Sequence, residues 1–174
     1  FDVQNADAFL IKTPQNKYFI IDTGKSGYNG GKSQAEFIIL NYLKSKGIKN
    51  IEGLILTHFD NDHSGGAVDL MKSLRIKKVY INNLTDKSKT SKRIYAYLNS
   101  HKNIVVEVPK DNEVVYLEPN LKIKLFRADF KGEDMDNENS IITLVSAGEF
   151  DELLMGDAGV VAFERIKNNL PEKV

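Results

Sequence analysis

Apolar residues fall in short runs along the chain, and the character of those runs changes past its middle. Val3, Ala8, Phe9, Leu10 and Ile11 predict a strand over Asp2 to Lys12, and Lys17-Tyr18-Phe19-Ile20-Ile21-Asp22 predicts a second. Pro14-Gln15-Asn16 between them is a turn signal, so the two form a hairpin. A loop from Thr23 to Lys32 then carries Gly24, Gly27, Gly30 and Gly31. Ser33 with Glu36 has capping-box spacing, Phe37, Ile38, Leu40 and Leu43 recur at helical intervals, and Gly47 is the expected stop. Ile51 to Thr57 reads as a buried strand, followed by a polar loop, a helix over Ala67 to Leu74 and a strand over Lys78 to Ile81. Ser88 to Ser100 is a further helix with Ile94, Tyr97 and Leu98 on one face, and Ile104 to Val108 the next strand. From there strands follow one another: Val114 to Leu117, Leu121 to Phe126, Ile141 to Val145 and Leu153 to Met155. Val160 to Asn169 closes as a helix. This order predicts two sheets with helices outside them rather than one doubly wound sheet.

Composition narrows the class. The 174 residues suit a single domain spanning 1–174, and 41% apolar with 28% charged residues excludes a disordered chain. No apolar run approaches the roughly 18 residues of a membrane-spanning helix. Cysteine is absent, which removes a disulfide framework, a thiolate metal site and a cysteine nucleophile. The start at Phe1, without a basic-then-apolar leader, reads as a processed or excised segment. Net charge is zero but unevenly spread. Residues 1–110 hold 17 Lys/Arg and 10 Asp/Glu, whereas 111–174 hold 7 and 14. Opposite halves imply either a basic partner-binding surface or two faces that meet in the fold.

The chemistry concentrates in Leu54-Ile55-Leu56-Thr57-His58-Phe59-Asp60-Asn61-Asp62-His63-Ser64-Gly65-Gly66. His58, Asp60, Asp62 and His63 place four potential metal ligands directly after an apolar strand, and two of the chain's 3 histidines are among them. Imidazole with carboxylate suits Zn, Fe or Mn, and more carboxylate draws harder ions. Two sub-clusters suggest two ions, and a pair about 3.5–4 Å apart can clamp an in-line displacement. Gly65 and Gly66 let backbone approach the metals and the next helix pack closely. The alternative is a solvated loop in which Asp60 and Asp62 cap the following helix.

His-x-Asp-x-Asp-His-x-Gly-Gly resembles the metal-binding signature of the metallo-β-lactamase superfamily. Asp60, where most members carry His, is similar to the ComEC-type proteins of bacterial DNA uptake and their stand-alone relatives. Phe1-Asp2-Val3 with Asp7-Ala8 resembles the opening motif of that group, and Ile20-Ile21-Asp22-Thr23-Gly24 the superfamily's first motif, whose Asp supports the metal loop from behind. Asn137-Glu138-Asn139-Ser140 is similar to the group's Asn-rich segment, and Leu154-Met155-Gly156-Asp157 to the strand end whose Asp bridges both ions. The resemblance implies an α/β (α+β) four-layer αββα sandwich, incomplete at the C-terminus. It implies one metal site from Asp62, His63 and Asp157, with Asp62, His63 and Asp157 also central to catalysis, and another from His58, Asp60 and Asp157. Asp136 falls where many relatives place a His, although its acidic neighbours also suit a solvated loop. Two departures stand out: Gln4-Asn5-Ala6 replaces the usual Gly-Gln-Gly, and the last His motif is absent before Val174.

By the same resemblance the chain is a metal-dependent hydrolase using two divalent ions, Zn or Mn, on a phosphodiester, as a nuclease would. The basic stretch Lys72, Arg75, Lys77, Lys78, Lys87, Lys89, Lys92 and Arg93 offers candidate DNA contacts, although the solvated faces of two helices are the stronger reading of it. Hydrolysis of small esters, lactones or thioesters is an alternative, and a non-catalytic DNA- or partner-binding domain with a degenerate metal site is another. The setting is either a cytoplasmic stand-alone protein or the soluble domain of a bacterial membrane protein.

Overall fold

The computed structural model describes residues 1–82, 88–131 and 135–172. Lys87, one of the basic candidates, lies outside them. The chain divides into two compact units, Phe1–Glu107 and Val108–Val174.

The first unit is a five-stranded sheet in the order β1-β2-β3-β4-β5. It comprises β1 (Phe9–Lys12), β2 (Tyr18–Ile21), β3 (Asn50–Leu56), β4 (Arg75–Ile81) and β5 (Val105–Glu107). The hairpin pairs β1 and β2 antiparallel, while β2, β3, β4 and β5 run parallel, each crossover carrying helix. β1 begins at Phe9 rather than Asp2, because Gln4 takes φ 54 and the Ala6 amide donates back to the Gln4 carbonyl at 2.8 Å. A turn there stops a strand from extending.

The helix predicted from Ser33 opens with a π-helical stretch, Ala35–Ile39, and continues as α1 (Leu40–Ser45). The capping box is formed on both sides: Glu36 N donates to Ser33 Oγ at 3.2 Å and Ser33 N to Glu36 Oε2 at 3.3 Å. At the other end Ile48 N donates to Leu43 O and Gly47 N to Lys44 O, with Gly47 at φ 68, a Schellman stop. Ile39, Leu43, Leu70, Ile94 and Leu98 from the helices join Ile20, Leu54, Leu56, Val79 and Ile81 of the sheet in one buried cluster. Their source helices are α1, its π-helical start, α3 (Ala67–Ser73) and α4 (Lys89–Ser100). A short helix not expected from the pattern, α2 (Asn61–Ser64), occupies the polar loop after β3.

The second unit is an antiparallel meander of β6 (Glu113–Glu118), β7 (Leu121–Phe126), β8 (Ile142–Ala147) and β9 (Phe150–Leu154). α5 (Val160–Ile166) sets Ala162 and Ile166 against Phe126, Ile142 and Leu144. The Asn-rich segment does structural work here. Asn139 clasps both backbone groups of Phe130, at 2.7 and 3.0 Å, and Glu138 Oε2 accepts the Ala162 amide at 2.7 Å, satisfying a first-turn donor of α5. Among the described residues no helix is long and apolar enough to cross a membrane.

Candidate metal centre

The candidate ligands stand where two parallel strands end together. β2 and β3 are in register with Ile21 opposite Ile55, so Asp22, one residue past β2, meets Thr57, one residue past β3. The Asp22 amide continues the ladder to Ile55 O at 2.9 Å, after which the backbone turns at φ 56. That left-handed conformation is one an Asp tolerates better than most residues. It puts the carboxylate back against β3. Oδ1 accepts Thr57 N at 2.9 Å, and Oδ2 accepts Thr57 Oγ1 at 2.7 Å and His63 Nδ1 at 2.8 Å. Asp22 is 1% exposed and Thr57 fully buried, so this charge is held by three donors instead of water.

The loop from Thr57 to Gly66 is strapped to the residues after β2. Thr23 donates both its amide (2.6 Å) and its hydroxyl (3.0 Å) to His63 O, and its hydroxyl accepts Gly66 N at 3.1 Å. Ser64 Oγ donates to His58 O at 2.5 Å, and Asp7 N to Asp62 O at 3.2 Å. The glycine pair serves packing. A Cβ on Gly65 would lie 2.3 Å from Ser26 N, and one on Gly66 2.4 Å from Ala35 Cβ and 2.8 Å from Thr23 O. The close approach they permit is to the glycine-rich loop and the start of the α1 region.

The result brings His58, Asp60 and His63 together. The two rings have centroids 4.2 Å apart at 47°, and both are almost fully buried. Nδ1 of His58 meets Thr57 Oγ1 at 3.1 Å, Nδ1 of His63 meets Asp22, and His58 Nε2 lies 3.7 Å from Asp60 Oδ2. Asp60 stands at the backbone N-cap of α2, yet its side chain makes no capping bond. A purely structural capping role therefore does not describe it. Asp62 is half-buried in the first turn of α2. Asp157 is exposed in the turn after β9, and Asp136 exposed in the turn over 136–139; both belong to the second unit.

Two residues emerge that the sequence reading did not assign to the site. Asp7 Oδ2 is 3.9 Å from His63 Nδ1, and donor atoms of Asp7, Asp22 and His63 all lie within 4.8 Å of one another. Thr57 joins Asp22 to His58. The acidic residue of the opening motif was the available signal for Asp7, whereas Thr57 carried none.

The described basic residues separate. Lys77 pairs with Glu52 at 2.5 Å, Lys78 with Glu107 at 2.8 Å and Arg93 with Asp69 at 2.9 Å. The Glu107 hydrogen bond holds the Lys78 ammonium above its ordinary pKa. Arg75 and Lys77 line a groove of about 680 Å³ with Tyr97 and His101, whereas Lys89 and Arg93 line one of about 270 Å³ with Ser26, Asn61 and Gly65 of the site loop. Lys72 and Lys92 are exposed on α3 and α4.

A family model described as the metallo-beta-lactamase superfamily matches residues 2–159. The chain is 25% identical over 181 residues to ComE operon protein 3 of Bacillus subtilis (strain 168), covering 98% of this chain and 23% of that protein. To Recombination protein 2 of Haemophilus influenzae (strain ATCC 51907 / DSM 11121 / KW20 / Rd) it is 47% identical over 72 residues, 41% of this chain and 9% of that protein. The chain thus spans less than a quarter of either curated relative, at 23% and 9% of their lengths. Among solved structures, Igni18, a metallo hydrolase of the hyperthermophilic archaeon Ignicoccus hospitalis KIN4/I, matches with a TM-score of 0.54 at 19% identity, over 94% of this chain and 62% of its own. That likeness is one of fold, and it agrees with the mixed α/β, two-sheet class read from the sequence. Motif, fold and family model agree over most of the chain, which belongs to the metallo-β-lactamase superfamily and resembles its ComEC-type members.

Proposed function

We propose that this chain is a metal-dependent hydrolase acting on phosphodiesters, a nuclease in the first instance, with 1–174 as one metallo-β-lactamase-like domain. The observation that carries the reading is the pair of buried, adjacent histidines, each held at Nδ1 by the protein, beside an acidic residue that does not cap its helix. Metal-ligating histidines are commonly held in this way by a partner on the other ring nitrogen. The donor set fits divalent ions of the Zn or Mn kind. His58 and Asp60 would hold one, Asp62 and His63 the other, and Asp157 would serve both. Such ions, when bound, supply hydroxide near neutral pH and offset charge developing on the attacked group.

The chain's own residues do the remaining work. Asp22 and Thr57 fix the rings, and Thr23 and the Gly65-Gly66 pair hold the loop against β2. Asp60 in place of His makes the first ligand set richer in oxygen, which favours Mn or Mg there and suits phosphoryl over amide substrates. The groove of about 270 Å³ lined by Ser26, Asn61, Lys89 and Arg93 adjoins the loop, and its two cations would hold a flanking phosphate. One relative is named for the ComE operon and another for recombination, which supports a nucleic-acid substrate and a role in competence.

The test is hydrolysis of bis(p-nitrophenyl) phosphate and linear DNA by the chain loaded with Zn or Mn, beside His63→Ala and a panel of esters and thioesters. Phosphodiester turnover that disappears in H63A is expected. Stoichiometric metal with turnover of esters alone would replace this reading with an ester hydrolase. Stoichiometric metal with no turnover of any substrate would leave a binding domain.

A further inference from the structure

We propose that Thr57 is a positioning residue that fixes the tautomer of His58, so that the single carboxylate of Asp22 sets both site histidines to the Nδ1–H form. A carboxylate can only accept, so the one hydrogen of the Thr57 hydroxyl is committed to Asp22 Oδ2 at 2.7 Å. The same hydroxyl lies 3.1 Å from His58 Nδ1 and has only lone pairs left to offer it. His58 Nδ1 must therefore carry the proton. His63 donates its own Nδ1–H straight to Asp22 Oδ2 at 2.8 Å. Both rings then present the Nε2 lone pair.

This arrangement works against a local opposing pull. Asp60 Oδ2 lies 3.7 Å from His58 Nε2 and would favour a proton there, and a neutral histidine with no special partner in water also prefers Nε2–H. Two influences thus favour the tautomer with no Nε2 lone pair, and the Asp22-Thr57 relay overrides them. Asp22 is 1% exposed and Thr57 fully buried, so water cannot take over either bond. His63 needs no relay because it touches the carboxylate directly. A hydroxyl at residue 57 is the requirement, and serine would meet it whereas valine, of nearly the same shape, would not.

The experiment is long-range ¹H–¹⁵N correlation of the metal-free, ¹⁵N-labelled chain at mildly alkaline pH. With 3 histidines in the sequence, His101→Asn and, separately, His63→Ala identify two of the rings and leave the third as His58. His58 and His63 should both show a protonated Nδ1 in the parent. In Thr57→Val, His58 should switch to Nε2–H while His63 keeps its pattern, and Thr57→Ser should restore the parent pattern. Nε2–H on His58 in the parent, or an unchanged His58 in T57V, overturns the relay. Should T57V fail to fold, the parent and T57S spectra still decide, because the parent must show Nδ1–H. A second arm measures Zn²⁺ affinity by chelator competition; it rests on the metal reading above, whereas the spectra do not. Affinity about 10–100-fold weaker in T57V, and near parental in T57S, is expected of a residue supporting a ligand. A switched tautomer with unchanged Zn²⁺ affinity overturns Nε2 ligation by His58 and leaves the relay standing.

Discussion

Asp22→Asn tests how much of the site hangs on one buried carboxylate. The replacement keeps the size and the tolerance for φ 56, so backbone strain stays nearly constant while one acceptor atom becomes a donor. If the amide oxygen takes the place of Oδ2, the new NH₂ faces the Thr57 amide, and two donors oppose each other in a fully buried site. If the amide turns over, its oxygen satisfies Thr57 N, and its two hydrogens point at Thr57 Oγ1 and His63 Nδ1. That second arrangement can be satisfied only when the Thr57 hydroxyl donates to His58 and both histidines move their protons to Nε2. The first costs about 1–3 kcal/mol of stability for an unmet buried donor. The second keeps most of the stability and removes both Nε2 lone pairs. Either way metal affinity falls, by about 10–100-fold for loss of this support. Thermal unfolding of the metal-free protein reads the first cost, about 2–12 °C at roughly 2–4 °C per kcal/mol for this size. Chelator competition with Zn²⁺ reads the affinity, and the ¹⁵N spectra separate the two arrangements. A D22N protein with parental stability, parental Zn²⁺ affinity and Nδ1–H on both histidines would refute the reasoning.

Three further outcomes follow from local geometry. Gly66→Ala places a Cβ 2.4 Å from Ala35 Cβ and 2.8 Å from Thr23 O, and the crowding should cost about 1–3 kcal/mol in chemical denaturation. Gly47→Ala meets nothing within 4 Å but must hold φ 68, so it should lose only about 1–2 kcal/mol, through backbone strain alone. The pKa of Lys78 is raised above its ordinary 10.5 by Glu107, so the pair's stabilisation is complete below about pH 10.5 and fades as pH rises through the folded value. Glu107→Gln should flatten that alkaline fall in denaturation midpoint above about pH 10.5; an unchanged profile would show that the pair does not contribute.

Much of the fold was legible because local signals agreed with the final packing. The Ser33/Glu36 box and the Gly47 stop bracket the predicted helix, and both close with the hydrogen bonds their sequences require. Strand β3 shows the near-continuous burial that its Leu54-Ile55-Leu56 run implies for a parallel sheet. Where the reading missed, the cause lay in the backbone. Residues 4–6 turn where apolar spacing suggests extension, and α2 forms in a loop with no apolar period, nucleated by Asp60 O accepting the amides of His63 and Ser64.

The site divides along a similar line. His58, Asp60, Asp62 and His63 were legible because a ligand is recognised by its own chemistry, and four such residues fell within one loop. Thr57 offered no such mark: on its own it is a β-branched residue ending a strand. Its role arises from the register of β2 with β3, which sets Ile21 against Ile55 and so brings Asp22 beside a residue 35 positions later. No local pattern encodes that register. It depends on an intervening helix whose length and stop signal return the chain to the correct edge of the sheet. The capping box and Schellman turn around Ala35–Ser45, remote from any ligand in sequence, thus help decide whether one carboxylate can orient two histidines.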